Sequence, residues 1–187
     1  MDRKRKTLRL FPLLFLMATP GLEAQGGGGR EGPQGDFLRA AAEYFNVAPR
    51  EAVVLSQWGL RPDEVPVVLF VAGRAGVSPD VIVAQRERGR PWRSIGEGLG
   101  VHASDLYVRQ SGGPGFLRSA YQQFESLPPA RWGEVALTDA DVVGLVNVRF
   151  LSRYFQVSPA DVIRAFGRDG DAVQAYRTLA AGRVRGC

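Results

Sequence analysis

One cysteine, one histidine and two methionines occur among 187 residues, and the only two lysines, Lys4 and Lys6, sit at the N-terminus. A lone cysteine excludes an intrachain disulfide framework. With a single histidine beside it, zinc and haem sites built from His and Cys are excluded as well. Apolar runs are short: the longest, near the N-terminus, has a core of about nine residues, whereas a membrane-spanning helix needs roughly 20. Sustained strand alternation is missing too. What remains is 45% apolar, 10% aromatic and 23% charged. That balance excludes wholesale disorder and a multi-span membrane protein, and it suits one packed domain or two very small ones.

The formal charge is +5, but residues 1–24 hold five basic and two acidic side chains, leaving 19 basic and 17 acidic residues beyond them. The remaining net charge of +2 does not by itself point to a nucleic-acid partner. Residues 1–24 also carry the parts of a secretory signal. Arg3-Lys4-Arg5-Lys6 is followed by the apolar stretch from Leu10 to Ala18, then by Pro20-Gly21 ahead of Ala24. Cleavage after Ala24 and a periplasmic or secreted location are expected. The absence of a nearby cysteine argues against a lipid anchor. Residues 25–35 are dense in glycine and read as a flexible tether, since no strand precedes them and no Gly-Lys-Ser/Thr follows to cradle a phosphate.

From Asp36 to Cys187 the apolar residues fall at helical spacing, and an all-α bundle of short helices is predicted. Asp36 is placed as the cap of a first helix with Phe37, Leu38, Ala41, Tyr44 and Phe45 on its buried stripe. Five segments share one grammar of helix entry, starting at Val47, Val77, Val101, Leu137 and Val157. Ser78, Thr138 and Ser158 are positioned to cap, Pro79 and Pro159 to occupy the first helical position, and acidic residues to favour the positive helix end. The intervals between starts vary, so the repeat is loose. A stripe of Phe116, Leu117, Ala120, Tyr121 and Phe124 marks another helix, and Asp139–Tyr154 a central one. Trp58 and Trp132 are expected to fill corners of the core. The order fits either one domain or two trihelical lobes, 36–110 and 116–182.

Residues 89–110 space Trp92, Ile95, Leu99, Gly100, Val101 and Leu106 in a way that resembles the core of a helix-turn-helix. The run Gly76-Val77-Ser78-Pro79, through Gly89, Trp92 and Ile95 to Leu99-Gly100-Val101, also resembles short helical repeats of exported bacterial proteins of unassigned function. That resemblance implies helical corners and carries no activity or site residues.

The densest chemical feature is Arg86-Glu87-Arg88-Gly89-Arg90-Pro91-Trp92-Arg93. Arg86, Arg88, Arg90 and Arg93 beside Trp92 offer forks for phosphate, sulfate or carboxylate and a ring for stacking. The competing account is a solvated helix end with Trp92 pinned in the core. A DNA-reading helix would span Ala103–Gln110, offering Arg109 and Gln110 with Asp105 opposing phosphates. His102, Ser104 and Asp105 are sequence neighbours, an arrangement ill-suited to a triad, and they read as cap residues. Asp139 with Asp141, or Glu87 with Glu97, have only their residue type to recommend them as acid and base. No metal-ligand spacing and no cofactor motif occur. The reading is an exported, non-enzymatic binding module whose partner is an envelope protein or anionic polymer. A helix-turn-helix regulator with a misread N-terminus is the alternative, and a hydrolase is a third. Cys187 is placed to pair with another chain or to be a bystander.

Overall fold

The computed structural model describes residues 32–167 and 170–185; the expected signal (1–24), most of the tether and Cys187 lie outside them. The described residues form α1 (Pro33–Phe45), α2 (Pro49–Gln57), α3 (Val65–Ala75), α4 (Pro79–Glu87), α5 (Trp92–Gly98), α6 (Ala103–Leu106), α7 (Arg118–Glu125), α8 (Asp139–Phe155), α9 (Pro159–Phe166) and α10 (Ala172–Arg185). Short 3-10 turns at Pro62–Glu64, Gly115–Leu117 and Pro129–Glu134 link them, and no strand is present among the described residues. The chain is all-α. No described helix is long and apolar enough to cross a membrane.

Four helix entries use one backbone corner. The N–H of Val47, Val77, Val101 and Val157 donates to the carbonyl five residues back, on Ala42, Ala72, Gly96 and Ser152, at 3.0, 3.2, 2.9 and 3.1 Å. The residue before each valine is left-handed: Asn46, Gly76, Gly100 and Gln156, with φ between 55° and 75°. This is the six-to-one closure that satisfies the last carbonyls of one helix while turning the chain into the next. At Val101 it depends on Gly96, because a Cβ there would lie 2.8 Å from the Val101 carbonyl oxygen.

Thr138 and Ser158 accept hydrogen bonds from the N–H groups of Asp141 and Asp161, as expected of caps. Ser78 does not; its hydroxyl donates to the Asp80 carboxylate. The first helix begins at Pro33, three residues before the expected cap. Proline is pre-set for that position, so Asp36 falls inside the helix and pairs with Arg39 at 2.9 Å.

The helix α8 is the hub, with α1, α3, α5, α6, α9 and α10 packed around it. Its residues Val142 to Val148, Phe150 and Leu151 are buried, and so is the whole run from Val65 to Ala72 in α3. Helices from both halves of the chain therefore share one core, and the alternative of separate lobes is not adopted. Gly144 makes this closeness work: a Cβ on it would meet Phe116 and Leu117 side chains at 2.7 and 2.8 Å. Phe37, Tyr44, Phe45 and Tyr154 surround the fully buried Phe150 ring or its neighbours, with centroid separations of 4.7–6.2 Å. Trp132 fills a corner as expected, its Nε1 donating to the carbonyls of Phe124 and Leu127. Trp58 does not: it is 44% exposed, beside the exposed Val54 one turn earlier on α2.

Candidate functional site

The arginine-rich run 86–93 is divided between core and surface. Arg86 closes α4 and reaches into the molecule, where Nη2 donates to Glu64 Oε1 at 2.8 Å and Nη1 to Asp139 Oδ2 at 2.6 Å. Its guanidinium lies 4.9 Å from the Trp92 ring centre. Trp92 is 1% exposed. Its Nε1 donates to Glu64 Oε1 at 3.0 Å and its backbone N–H to Asp139 Oδ1 at 2.8 Å. Both side chains are thus committed to a four-residue lock joining the 62–64 turn, α4, α5 and α8. Trp92 has no free face for a planar ligand. Arg88 and Arg90 are exposed, Arg90 bonding Gln85, and Arg93 pairs with Glu97 along α5 at 2.7 Å.

The triad candidates are also accounted for. The Asp105 carboxylate accepts from the His102 backbone N–H at 2.9 Å and pairs with Arg74; His102 and Ser104 are exposed. Asp139 belongs to the lock and Asp141 to the Thr138 cap. The helix expected to read DNA over Ala103–Gln110 ends at Leu106 after one turn, with Ala103 and Leu106 buried. Among the described residues no group of three or more His, Cys, Asp or Glu is arranged to hold a metal ion.

The most chemically distinct concavity lies elsewhere. A cleft of about 560 Å³ opens between the end of α1, the extended segment after α6, the last turns of α8 and the first residue of α9. Arg109, Arg149 and Arg153 line it, together with Tyr44, Tyr107 and Ser152, and Val108 and Pro159 complete the wall. No carboxylate, imidazole or thiol is among these residues. Its described lining is therefore cationic, with tyrosine and serine hydroxyls beside the arginines.

Comparison with family models, curated proteins and solved structures returns no match to this chain. The cleft must therefore be read from its own residues.

Arg149 is its fixed element. Nη2 donates to the backbone carbonyls of Asp105 and Tyr107 at 2.7 and 2.9 Å. The guanidinium carbon sits 5.3 Å from the Phe70 ring centre, and Nε is buried without a partner. Burial holds the Arg149 pKa below that of a free guanidinium, and the charges of Arg74 and Arg153 push it the same way, against Tyr44 and Asp105. It stays charged at neutral pH regardless, as arginine does in proteins. Arg153 lies one turn along α8, where the terminal carbonyls favour a cation. Neither it nor Arg109 has an ion pair among the described residues. The Ser152 hydroxyl donates to the Val157 carbonyl at 2.6 Å, so the same residue ties the cleft to a helix corner.

Of the sequence candidates only Arg109 reaches this cleft. Tyr44, Tyr107, Arg149, Ser152 and Arg153 were not legible as a site. One signal was available: Arg149 and Arg153 are four apart on the longest described helix, where like charges repel.

Proposed function

We propose that this chain is an exported, non-enzymatic helical protein that binds an anionic group in the Arg109–Arg149–Arg153 cleft, with an envelope protein or anionic polymer carrying that group. One observation carries the reading: three arginines line a cavity with no carboxylate among its described lining residues, and one of them is clamped in place by backbone carbonyls. Helix-end carbonyls account for Arg153 alone. They do not account for Arg109, which lies outside any helix, or for Arg149, which is partly buried beside Phe70. An anion entering the cleft finds Arg149 already held by backbone carbonyls, so that donor needs little ordering on binding. The signal-like residues 1–24 supply the export part of the reading.

Retention on phosphocellulose tests it. The double variant Arg109→Ala/Arg153→Ala elutes at lower salt than wild type, whereas Arg88→Ala/Arg90→Ala/Arg93→Ala elutes close to it. The reverse order moves the site to the 86–93 surface, and equal elution of all three proteins removes the anion-binding reading.

A further inference from the structure

The cleft holds more positive charge than a singly charged ligand can balance. Arg109, Arg149 and Arg153 contribute three cations, and Asp105, the carboxylate whose charge bears on Arg149, is already committed to Arg74 and to the His102 N–H. A carboxylate, a sulfate ester or a phosphodiester brings one negative charge. A phosphate monoester brings close to two at neutral pH and three oxygens for charge-assisted bonds. Guanidinium forks match those oxygens in pairs.

The remaining lining fits the rest of such a ligand. With Nη2 spent on two carbonyls and Nε buried, Arg149 has Nη1 left to present. The Tyr44 and Tyr107 hydroxyls make no hydrogen bond with the described residues, so both are additional donors. Their rings are held from behind: Tyr44 packs on Phe45 and Phe150 at 4.7 and 5.3 Å, and Tyr107 on Trp132 at 4.2 Å. Fixed aromatic walls with Val108 and Pro159 give an organic group an apolar surface beside the charged one.

Building on the anion-binding reading, we infer that the ligand of this cleft is a doubly charged phosphate group, a phosphate monoester held by Arg109, Arg149 and Arg153, with its organic part along Tyr44 and Tyr107. The same chemistry is found in free phosphate, in a small phosphorylated molecule and in a lipid headgroup of the phosphatidic acid type.

Isothermal titration of the protein with phenyl phosphate and with phenyl sulfate, near-isosteric probes differing by about one charge, decides the point. Phenyl phosphate binds more tightly by about tenfold or more, the worth of one further charge-assisted contact. Arg109→Ala and Arg153→Ala each weaken it by about tenfold to a hundredfold, while Arg90→Ala leaves it unchanged. Neither the Arg109 nor the Arg153 side chain has a partner among the described residues, so both variants fold, and melting curves close to wild type verify this. Inorganic phosphate and phosphatidic acid vesicles in parallel identify the source: equal binding of inorganic phosphate points to the free ion, tighter phenyl phosphate to a small ester, and vesicle capture tighter than either to a headgroup. Each supports the phosphate assignment. Equal affinity for the two phenyl probes overturns the doubly charged ligand but leaves anion binding standing. If no anion binds, both fall.

Discussion

Replacing Glu64 by alanine tests whether the Glu64–Arg86–Trp92–Asp139 lock holds the first half of the chain to α8. Glu64 is 6% exposed. Its carboxylate accepts from the Arg61 N–H at 3.1 Å, from Arg86 Nε and Nη2 at 3.2 and 2.8 Å, and from Trp92 Nε1 at 3.0 Å. The alanine variant leaves the fully buried indole N–H without an acceptor, which costs about 1–3 kcal/mol. Arg86 keeps Asp139 at 2.6 Å, so its loss falls below the roughly 3–5 kcal/mol of an entirely broken buried pair. Together these give a destabilisation of about 3 kcal/mol. Glu64→Gln retains one acceptor and costs about 1–2 kcal/mol. Glu97→Ala, which breaks an exposed pair one turn apart with Arg93, costs about 0.5 kcal/mol at most. Urea unfolding measures all three; midpoints shift in that order while the slope stays constant. If Glu64→Ala proves no worse than Glu97→Ala, the lock is ornamental and the helices are held by apolar packing alone.

The same carboxyl gives the acid limb of stability a sign. Burial alone would raise the Glu64 pKa, but bonds from Arg61, Arg86 and Trp92 leave it lowered from the ordinary value of 4.5. Its contribution is therefore complete above that value and is lost as pH falls through the folded one. Asp63, raised chiefly by burial, works the opposite way, so Glu64→Gln flattens the acid slope while Asp63→Asn steepens it, as read by thermal melts across pH. Gly73→Ala raises stability by about 0.5–1 kcal/mol, because a methyl there meets nothing within 4 Å. Gly96→Ala instead lowers it by about 1–3 kcal/mol against the Val101 carbonyl; opposite shifts in melting temperature check the pair. Gln156→Gly relieves a left-handed residue at φ 57° and stabilises by about 0.5 kcal/mol, measurable in the same melts.

The fold was legible because its information is local. Short helices with Pro or Ser/Thr at their starts, and a left-handed residue followed by valine at their ends, are written within six or seven residues each. What local grammar could not supply is which corners meet. Asn46 and Gln156 conceal their likeness to Gly76 and Gly100, since only backbone conformation makes them equivalent. The exposure of Trp58 was equally hidden: α2 buries Ala52 and Leu55 and leaves Val54 and Trp58 on its outer face, although their apolar character alone suggests the core.

The arginines of the cleft show the same limit more sharply. Density along the chain singled out residues 86–93, yet Arg86 spends its charge on partners 22 and 53 positions away. The cleft gathers its cations from Arg109, Arg149 and Arg153, with Tyr44 contributed from the far end of the domain. Arg149 and Arg153 act on each other as like charges one turn apart, and the described lining of the cleft holds no carboxylate, which yields a decisive substitution. Arg109→Glu places a carboxylate in the cleft wall, outside any helix, so no helix dipole complicates the outcome. It should stabilise the protein by about 0.5 kcal/mol at low salt, with the gain shrinking as salt screens it. The variant should also lose phosphocellulose retention and the rise in melting temperature that bound phosphate gives wild type. Stability gained together with binding lost is the signature of a site maintained against the preference of the fold. A less stable Arg109→Glu protein would mean that the three arginines are ordinary solvated charges, and the anion site would go with them.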